Sequence, residues 1–158
     1  MNKFYVIANS QKDMDFAMAD KISEYIIAKG GTCVCQKRDI GKEGIKYNSA
    51  DASLIPEGTE CVIVLGGDGT LIQAARDLSS INVPVFGINI GTLGYLTEID
   101  MEQAFPAIDR IMADEYNIDT RMILRGRVYR GDDKLYSDIA LNDLSLIHIS
   151  EPTRRVVI

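Results

Sequence analysis

Unbroken apolar runs alternate along this chain with segments whose apolar positions recur every three or four residues, a pattern that predicts strands interleaved with helices. Residues 3–8 (KFYVIA) form a β-branched and aromatic run closed by Asn9-Ser10, as expected of a buried strand. Between 13 and 29, Met14, Ala17, Met18, Ile22, Tyr25 and Ile26 fall on one helical face, and Gly30-Gly31 supplies the left-handed stop that ends such a helix. Residues 32–36 (TCVCQ) read as a second strand. The opening is therefore a βαβ unit, which implies a parallel sheet with right-handed crossovers. A polar, glycine-containing connection spans 37–60, with a helical turn expected around 48–55. The uninterrupted CVIVL at 61–65 is the mark of a central strand covered on both faces. Helical spacing returns over 71–78, and 83–88 reads as another strand.

Further on, 101–116 reads as a helix with Pro106 in its first turns, which predicts a late start or a kink. The periodicity then changes. Residues 121–130 (RMILRGRVYR) and 134–141 (KLYSDIAL), on either side of Gly131-Asp132-Asp133, read as two antiparallel strands joined by a tight turn. Strands without intervening helices signal a different architecture, which puts a domain boundary between residues 100 and 120.

Composition adds exclusions. A net charge of −6 repels phosphate-rich polymers, and no local basic patch offsets it, so a nucleic-acid role is not expected. A small anionic ligand stays open, because backbone N–H groups bind anions without help from net charge. No apolar run approaches the roughly 18 residues of a membrane span, and MNKFYVIANS lacks a signal-peptide layout, so a cytoplasmic address is expected. The three cysteines are expected to be reduced thiols, with Cys33 and Cys35 half-buried at strand spacing rather than holding metal.

Gly66-Gly67-Asp68-Gly69-Thr70 ends one strand and passes directly into a helix. Glycines permit positive φ and carry no Cβ, so amides can turn inward while the helix N-terminus adds positive potential, an arrangement suited to phosphate. Asp68 would oppose a phosphate unless it accepts a proton from an attacking hydroxyl or holds a metal; the plainer alternative is a helix N-cap. Neither a Gly-x-x-x-x-Gly-Lys-Ser/Thr loop nor the dinucleotide glycine fingerprint is present.

Leu65-Gly-Gly-Asp-Gly-Thr-Leu71, followed by Gly87-Ile-Asn-Ile-Gly-Thr-Leu-Gly-Tyr-Leu-Thr-Glu98 and Ala140-Leu-Asn-Asp143, resembles the paired signature of the NAD kinases. Diacylglycerol and sphingolipid kinases share GGDGT, and the second motif separates them. The resemblance covers residues 1–143. It implies an α/β, Rossmann-like parallel-sheet domain over 1–100, then a linking helix and the truncated start of an all-β sandwich domain over 101–143. It implies ATP-dependent phosphorylation of the 2′-hydroxyl of the adenosine ribose of NAD, with Mg2+ or another divalent cation carried by ATP. Asp68 is implied as the catalytic base, with Gly69, Tyr95, Asn142 and Asp143 at the dinucleotide, and Gly66, Gly67 and Thr70 at the ATP phosphates. Gln73 stands where relatives often carry Arg or His. A homo-oligomer is expected of the full-length protein. A diacylglycerol-type lipid kinase and a non-catalytic nucleotide-binding module are the alternatives.

Beyond Asp143 the likeness ends. LSLIHISEPTR, residues 144–154, resembles the translation of an adaptor used in sequencing-library preparation, so 144–158 is expected to be a non-native tail and His148 to have no role. A native alternating strand over 144–149 is the alternative. With the second domain cut short, the chain alone is expected to show little or no kinase activity.

Overall fold

A computed structural model describes residues 1–36, 50–91, 94–97 and 99–141. The chain divides into two compact units, Met1–Asp119 and Thr120–Ile158.

The first unit is a five-stranded parallel sheet in the order β2-β1-β3-β4-β5, made of β1 (Lys3–Ala8), β2 (Thr32–Gln36), β3 (Cys61–Gly66), β4 (Val85–Asn89) and β5 (Ile99–Asp100). The expected parallel α/β architecture is what forms. β3, from the unbroken apolar run, is the middle strand and is buried along its whole length. Strand alternation sorts its side chains to opposite faces. Cys61, Ile63 and Leu65 join Phe4 and Val6 in one core, with Ile22 and Ile26 of α1 (Ala17–Ala28) and Ala104 and Ile108 of α3 (Met101–Met112). Val62 and Val64 join Tyr5 and Ile7 in the other, beneath Ala74 of α2 (Asp68–Asp77) and Leu78. Helices thus cover both faces of the sheet.

Local differences from the periodicity have physical causes. α1 starts at Ala17 rather than near residue 13, because Phe16 takes a left-handed conformation (φ 55°) and buried Asp13 caps the helix from a distance. The Asp13 carboxylate accepts from Met18 N (3.1 Å) and Ala19 N (3.0 Å), two of the N–H groups a helix start leaves open. Met14, placed by spacing on the core face, precedes the helix and is 72% exposed. The other end follows expectation. Gly30 is left-handed (φ 88°), with Gly30 N donating to Ile27 O and Gly31 N to Ile26 O, the two bonds of a Schellman stop.

α3 begins at Met101 on an Asp100 cap that accepts from Gln103 N (2.9 Å), and it runs through Pro106 instead of starting late. Glu102, whose carbonyl the Pro106 nitrogen cannot serve, is exposed and open to water. The helix packs Ala104, Ile108 and Ile111 into the first unit's core, and that unit extends to Asp119. β5, two residues long, is too short to leave a periodic trace in the sequence. The expected turn around 48–55 is a 3-10 helix, Ala52–Leu54, where described. No helix among the described residues is long and apolar enough to cross a membrane.

In the second unit the described residues hold an antiparallel pair, β6 (Ile123–Arg130) and β7 (Asp133–Leu141), with a bulge between Val128 and Tyr129. Gly131 supplies the positive φ (61°) that primed hairpin turns need.

Candidate functional site

The chain turns from β1 to β2 on one side of the sheet and reaches β3 on the other, so the exits of β1 and β3 leave toward opposite faces. A crevice opens at the carboxyl ends of the strands at such a switch point, the usual ligand site of open α/β sheets. Three exits line it. After β1, Asn9 N donates to Leu65 O (2.9 Å), and the Asn9 side chain accepts from Gln11 N (2.9 Å), turning the chain toward Lys12. After β3 comes the Gly66–Thr70 stretch, and after β4 comes the segment through Gly91 and Gly94–Thr97.

The glycines of the first motif work differently from the sequence expectation. None of Gly66, Gly67 and Gly69 has positive φ, and Gly67, the α2 N-cap residue, is extended. At Gly66 the contribution is space. A β-carbon on Gly66 would lie 2.6 Å from Thr70 Cβ, so its absence lets the first turn of α2 seat on the end of β3. One on Gly67 would lie 3.1 Å from Lys12 Nζ, while one on Gly69 would meet nothing within 4 Å. Thr70 is buried, and its hydroxyl accepts from Asn9 Nδ2 (3.0 Å), linking the β1 and β3 exits. Among the described residues, the N–H groups of Gly67, Asp68 and Gly69 find no backbone acceptor, whereas Thr70 N and Leu71 N both donate to Gly67 O. Open N–H groups at a helix start are anion donors.

Asp68 is the first residue of α2, and its carboxylate reaches across to the loop after β4. Oδ2 accepts from Tyr95 N (2.7 Å), and Oδ1 accepts from Leu96 N, Thr97 N and Thr97 Oγ1, each at 3.0 Å. The Tyr95 amide, aided by the Leu96 and Thr97 donors and opposed by partial burial, holds this carboxyl below the usual carboxylate range. Asp68 is therefore ionised at neutral pH, and it is oriented by the loop rather than spent capping its own helix. Gly94 is required for this, since a β-carbon there would fall 2.6 Å from Asp68 Cγ. Tyr95 gives Asp68 its amide while its side chain stands 93% exposed at the rim.

Of the residues expected at the site, Gly66, Gly67, Asp68, Gly69, Thr70 and Tyr95 converge on this end of the sheet. Asn142, Asp143 and the 144–158 tail lie outside the described residues, as do Thr92, Leu93 and Glu98 of the second motif. Gln73 is engaged away from the strand ends, donating from Nε2 to Asp77 Oδ1 (2.7 Å) one helical turn on. Sequence reasoning passed over Lys12, whose ammonium sits between the two glycine exits, 3.1 Å from the missing β-carbon of Gly67 and 3.7 Å from that of Gly91. It forms no ion pair among the described residues. The signal available was its position just after β1 in a sheet whose strand order reverses there. Asn89 and Thr97, both buried, were also passed over, because amide and hydroxyl side chains carry no distinctive spacing.

Comparison with known proteins shows the family. Residues 4–116 match the family described as the ATP-NAD kinase N-terminal domain. An NAD kinase of Lachnospira eligens is 47% identical over 147 residues, covering 91% of this chain and 49% of that protein. One of Agathobacter rectalis is 45% identical over 148 residues, covering 94% and 50%. The chain spans about half the length of these curated relatives. A crystal structure of yeast NADH kinase complexed with NADH matches 89% of this chain and 44% of that one with a TM-score of 0.58. At 14% identity that likeness speaks for the fold alone. With the family match running from β1 through α3 and taking in the whole strand-end crevice, the chain belongs to the ATP-NAD kinase family.

Proposed function

We propose that this chain is the nucleotide-binding half of an ATP-dependent NAD kinase, which transfers the γ-phosphoryl group of ATP to the 2′-hydroxyl of the adenosine ribose of NAD, releasing NADP and ADP. Asp68 is the base. The ribose O–H bond breaks with its proton passing to the carboxylate, a new P–O bond forms, and the bond from the γ-phosphorus to the bridging oxygen breaks. A carboxylate held well ionised is a weak base for a sugar alcohol, so the proton moves late, as the loose phosphoryl-transfer state closes onto the oxygen.

The open N–H groups of Gly67, Asp68 and Gly69 cradle the phosphates. Gly66 and Thr70 shape the cradle by seating α2 on β3, and Lys12 adds the cation over it. Tyr95 offers its exposed ring to the dinucleotide, and the family resemblance assigns Asn142 and Asp143 to the dinucleotide as well. Mg2+ carried by ATP would neutralise the phosphate charge. A cytoplasmic address and a homo-oligomeric full-length protein belong to the same reading.

The observation that carries the proposal is the Asp68 carboxylate, ionised and held by four donors at the mouth of the central strand, beside open amides at a helix start. The test is NADP formation by the protein completed to the length of its relatives. Asp68→Asn is expected to lower turnover by about 10²–10⁴ while calorimetry still detects NAD binding. Near-normal turnover in that variant defeats the base assignment. A wild-type protein that binds NAD or ATP and makes no NADP identifies a non-catalytic binding module instead. The chain alone is expected to make little or no NADP.

A further inference from the structure

The two oxygens of Asp68 are used unequally. Oδ1 accepts three hydrogen bonds, from Leu96 N, Thr97 N and Thr97 Oγ1, whereas Oδ2 accepts one, from Tyr95 N. A carboxylate oxygen offers about two lone-pair directions, so Oδ1 is saturated and Oδ2 keeps one open.

The third donor on Oδ1 is a side chain with its own support. Thr97 is fully buried (0% exposed), and its hydroxyl accepts from Asn89 Nδ2 at 2.8 Å. A hydroxyl that receives a proton from an amide must direct its own elsewhere, and the acceptor in reach is Asp68 Oδ1. Asn89, 2% exposed at the end of β4, leaves its Oδ1 buried and without a partner among the described residues, while its Nδ2 is committed to Thr97. Gly87 fixes the other side of Thr97, since a β-carbon there would lie 2.8 Å from Thr97 Cγ2. The threonine is thus wedged between strand and loop, with its hydroxyl aimed at the carboxylate.

Resting on the kinase reading above, we propose that Thr97, seated by Asn89, is a positioning residue that saturates Oδ1 of Asp68 and reserves Oδ2 as the oxygen presented to the sugar hydroxyl. A carboxylate free to rotate presents either oxygen in many orientations. One pinned on a single side presents one lone pair along one line, which is the alignment that proton transfer in a ternary complex needs.

The test follows the Asp68 side-chain carboxyl carbon by NMR through an acid titration of this chain as wild type, Thr97→Val and Thr97→Ser. Lys12, the charged side chain reaching this end of the sheet from the β1 exit, is common to all three. The serine variant, which keeps the hydroxyl, is expected to titrate with the wild type, and the valine variant at higher pH. A valine variant that tracks the wild type overturns the inference, as does a serine variant that tracks valine. Should Thr97→Val not fold, the wild-type Leu96 and Thr97 amide signals decide: they are expected to shift with the Asp68 midpoint, and flat signals overturn the proposal. In the completed enzyme, Thr97→Val is expected to lower kcat about ten-fold with little change in KM for NAD. Near-normal turnover in Asp68→Asn defeats the base assignment yet leaves the NMR result standing, so the two failures are told apart.

Discussion

Two glycines of one motif are expected to respond to alanine in opposite directions. At Gly66 the new methyl would lie 2.6 Å from Thr70 Cβ and 2.9 Å from Thr70 Cγ2, against an ordinary carbon contact of about 3.5–4.0 Å. The threonine cannot retreat easily, because it is buried, fixed to the first turn of α2 and bonded to Asn9. Relief requires lifting that turn off the strand, an overpacking cost of about 1–3 kcal/mol. At Gly69 the methyl meets nothing, the backbone is helical, and alanine is favoured over glycine in helices by about 0.5–1 kcal/mol. The two variants are therefore expected to differ by about 1.5–4 kcal/mol, Gly66→Ala below the wild type and Gly69→Ala at or above it. Urea unfolding followed by far-ultraviolet circular dichroism resolves this, since typical slopes of about 1–3 kcal/mol per molar turn it into midpoints separated by about 1 M. A Gly66→Ala midpoint equal to that of the wild type, or a Gly69→Ala midpoint below it, refutes the claim that Gly66 leaves room for Thr70 while Gly69 is fixed neither by space nor by backbone conformation.

Acid should weaken the contribution of Asp68. Its carboxyl is depressed in the folded state, so its stabilisation is fully present above the ordinary unfolded value of about 3.9 and is lost as pH falls through the folded value. The urea-midpoint gap between wild type and Asp68→Asn is expected to hold from about pH 8 to about pH 5 and to shrink below about pH 4; a gap that widens on acidification contradicts this. Lys12→Gln in the completed protein is expected to raise KM for ATP with a stability change within about 0.5 kcal/mol, and an unchanged KM removes Lys12 from the phosphate site. Ile63→Ala, at a fully buried position of the central strand, is expected to cost about 2–5 kcal/mol, whereas Met14→Ala stays within about 0.5 kcal/mol; equal losses in the two would contradict the burial pattern.

Much of the scaffold was legible in the sequence because its signals are local. CVIVL marked the central strand, since only a strand covered on both faces tolerates an unbroken apolar run, and Gly30-Gly31 marked the α1 stop because its geometry needs a left-handed residue. α1 began later than its spacing implied because buried Asp13 and left-handed Phe16 override the amphipathic pattern. The site was legible in part. A glycine-flanked aspartate between strand and helix pointed to phosphate chemistry, but the partners of Asp68 come from a loop after another strand, and no local pattern encodes that pairing. Lys12 was missed for the same reason: its meaning comes from strand order. Of the two roles expected of the glycines, positive φ is not used at Gly66, Gly67 or Gly69, while the missing β-carbon matters at Gly66 for seating Thr70, a neighbour that spacing along the chain does not name.

The close approach of Gly94 to Asp68 makes these two positions a single unit of variation. Any side chain at 94 evicts the carboxylate unless 68 is shortened at the same time, and shortening 68 gives up the group proposed above as the base. On the proposed kinase reading, a library of the completed protein that randomises either site alone is expected to recover only the starting pair among active clones. Descendants that abandon the chemistry, by contrast, are free to drift at both.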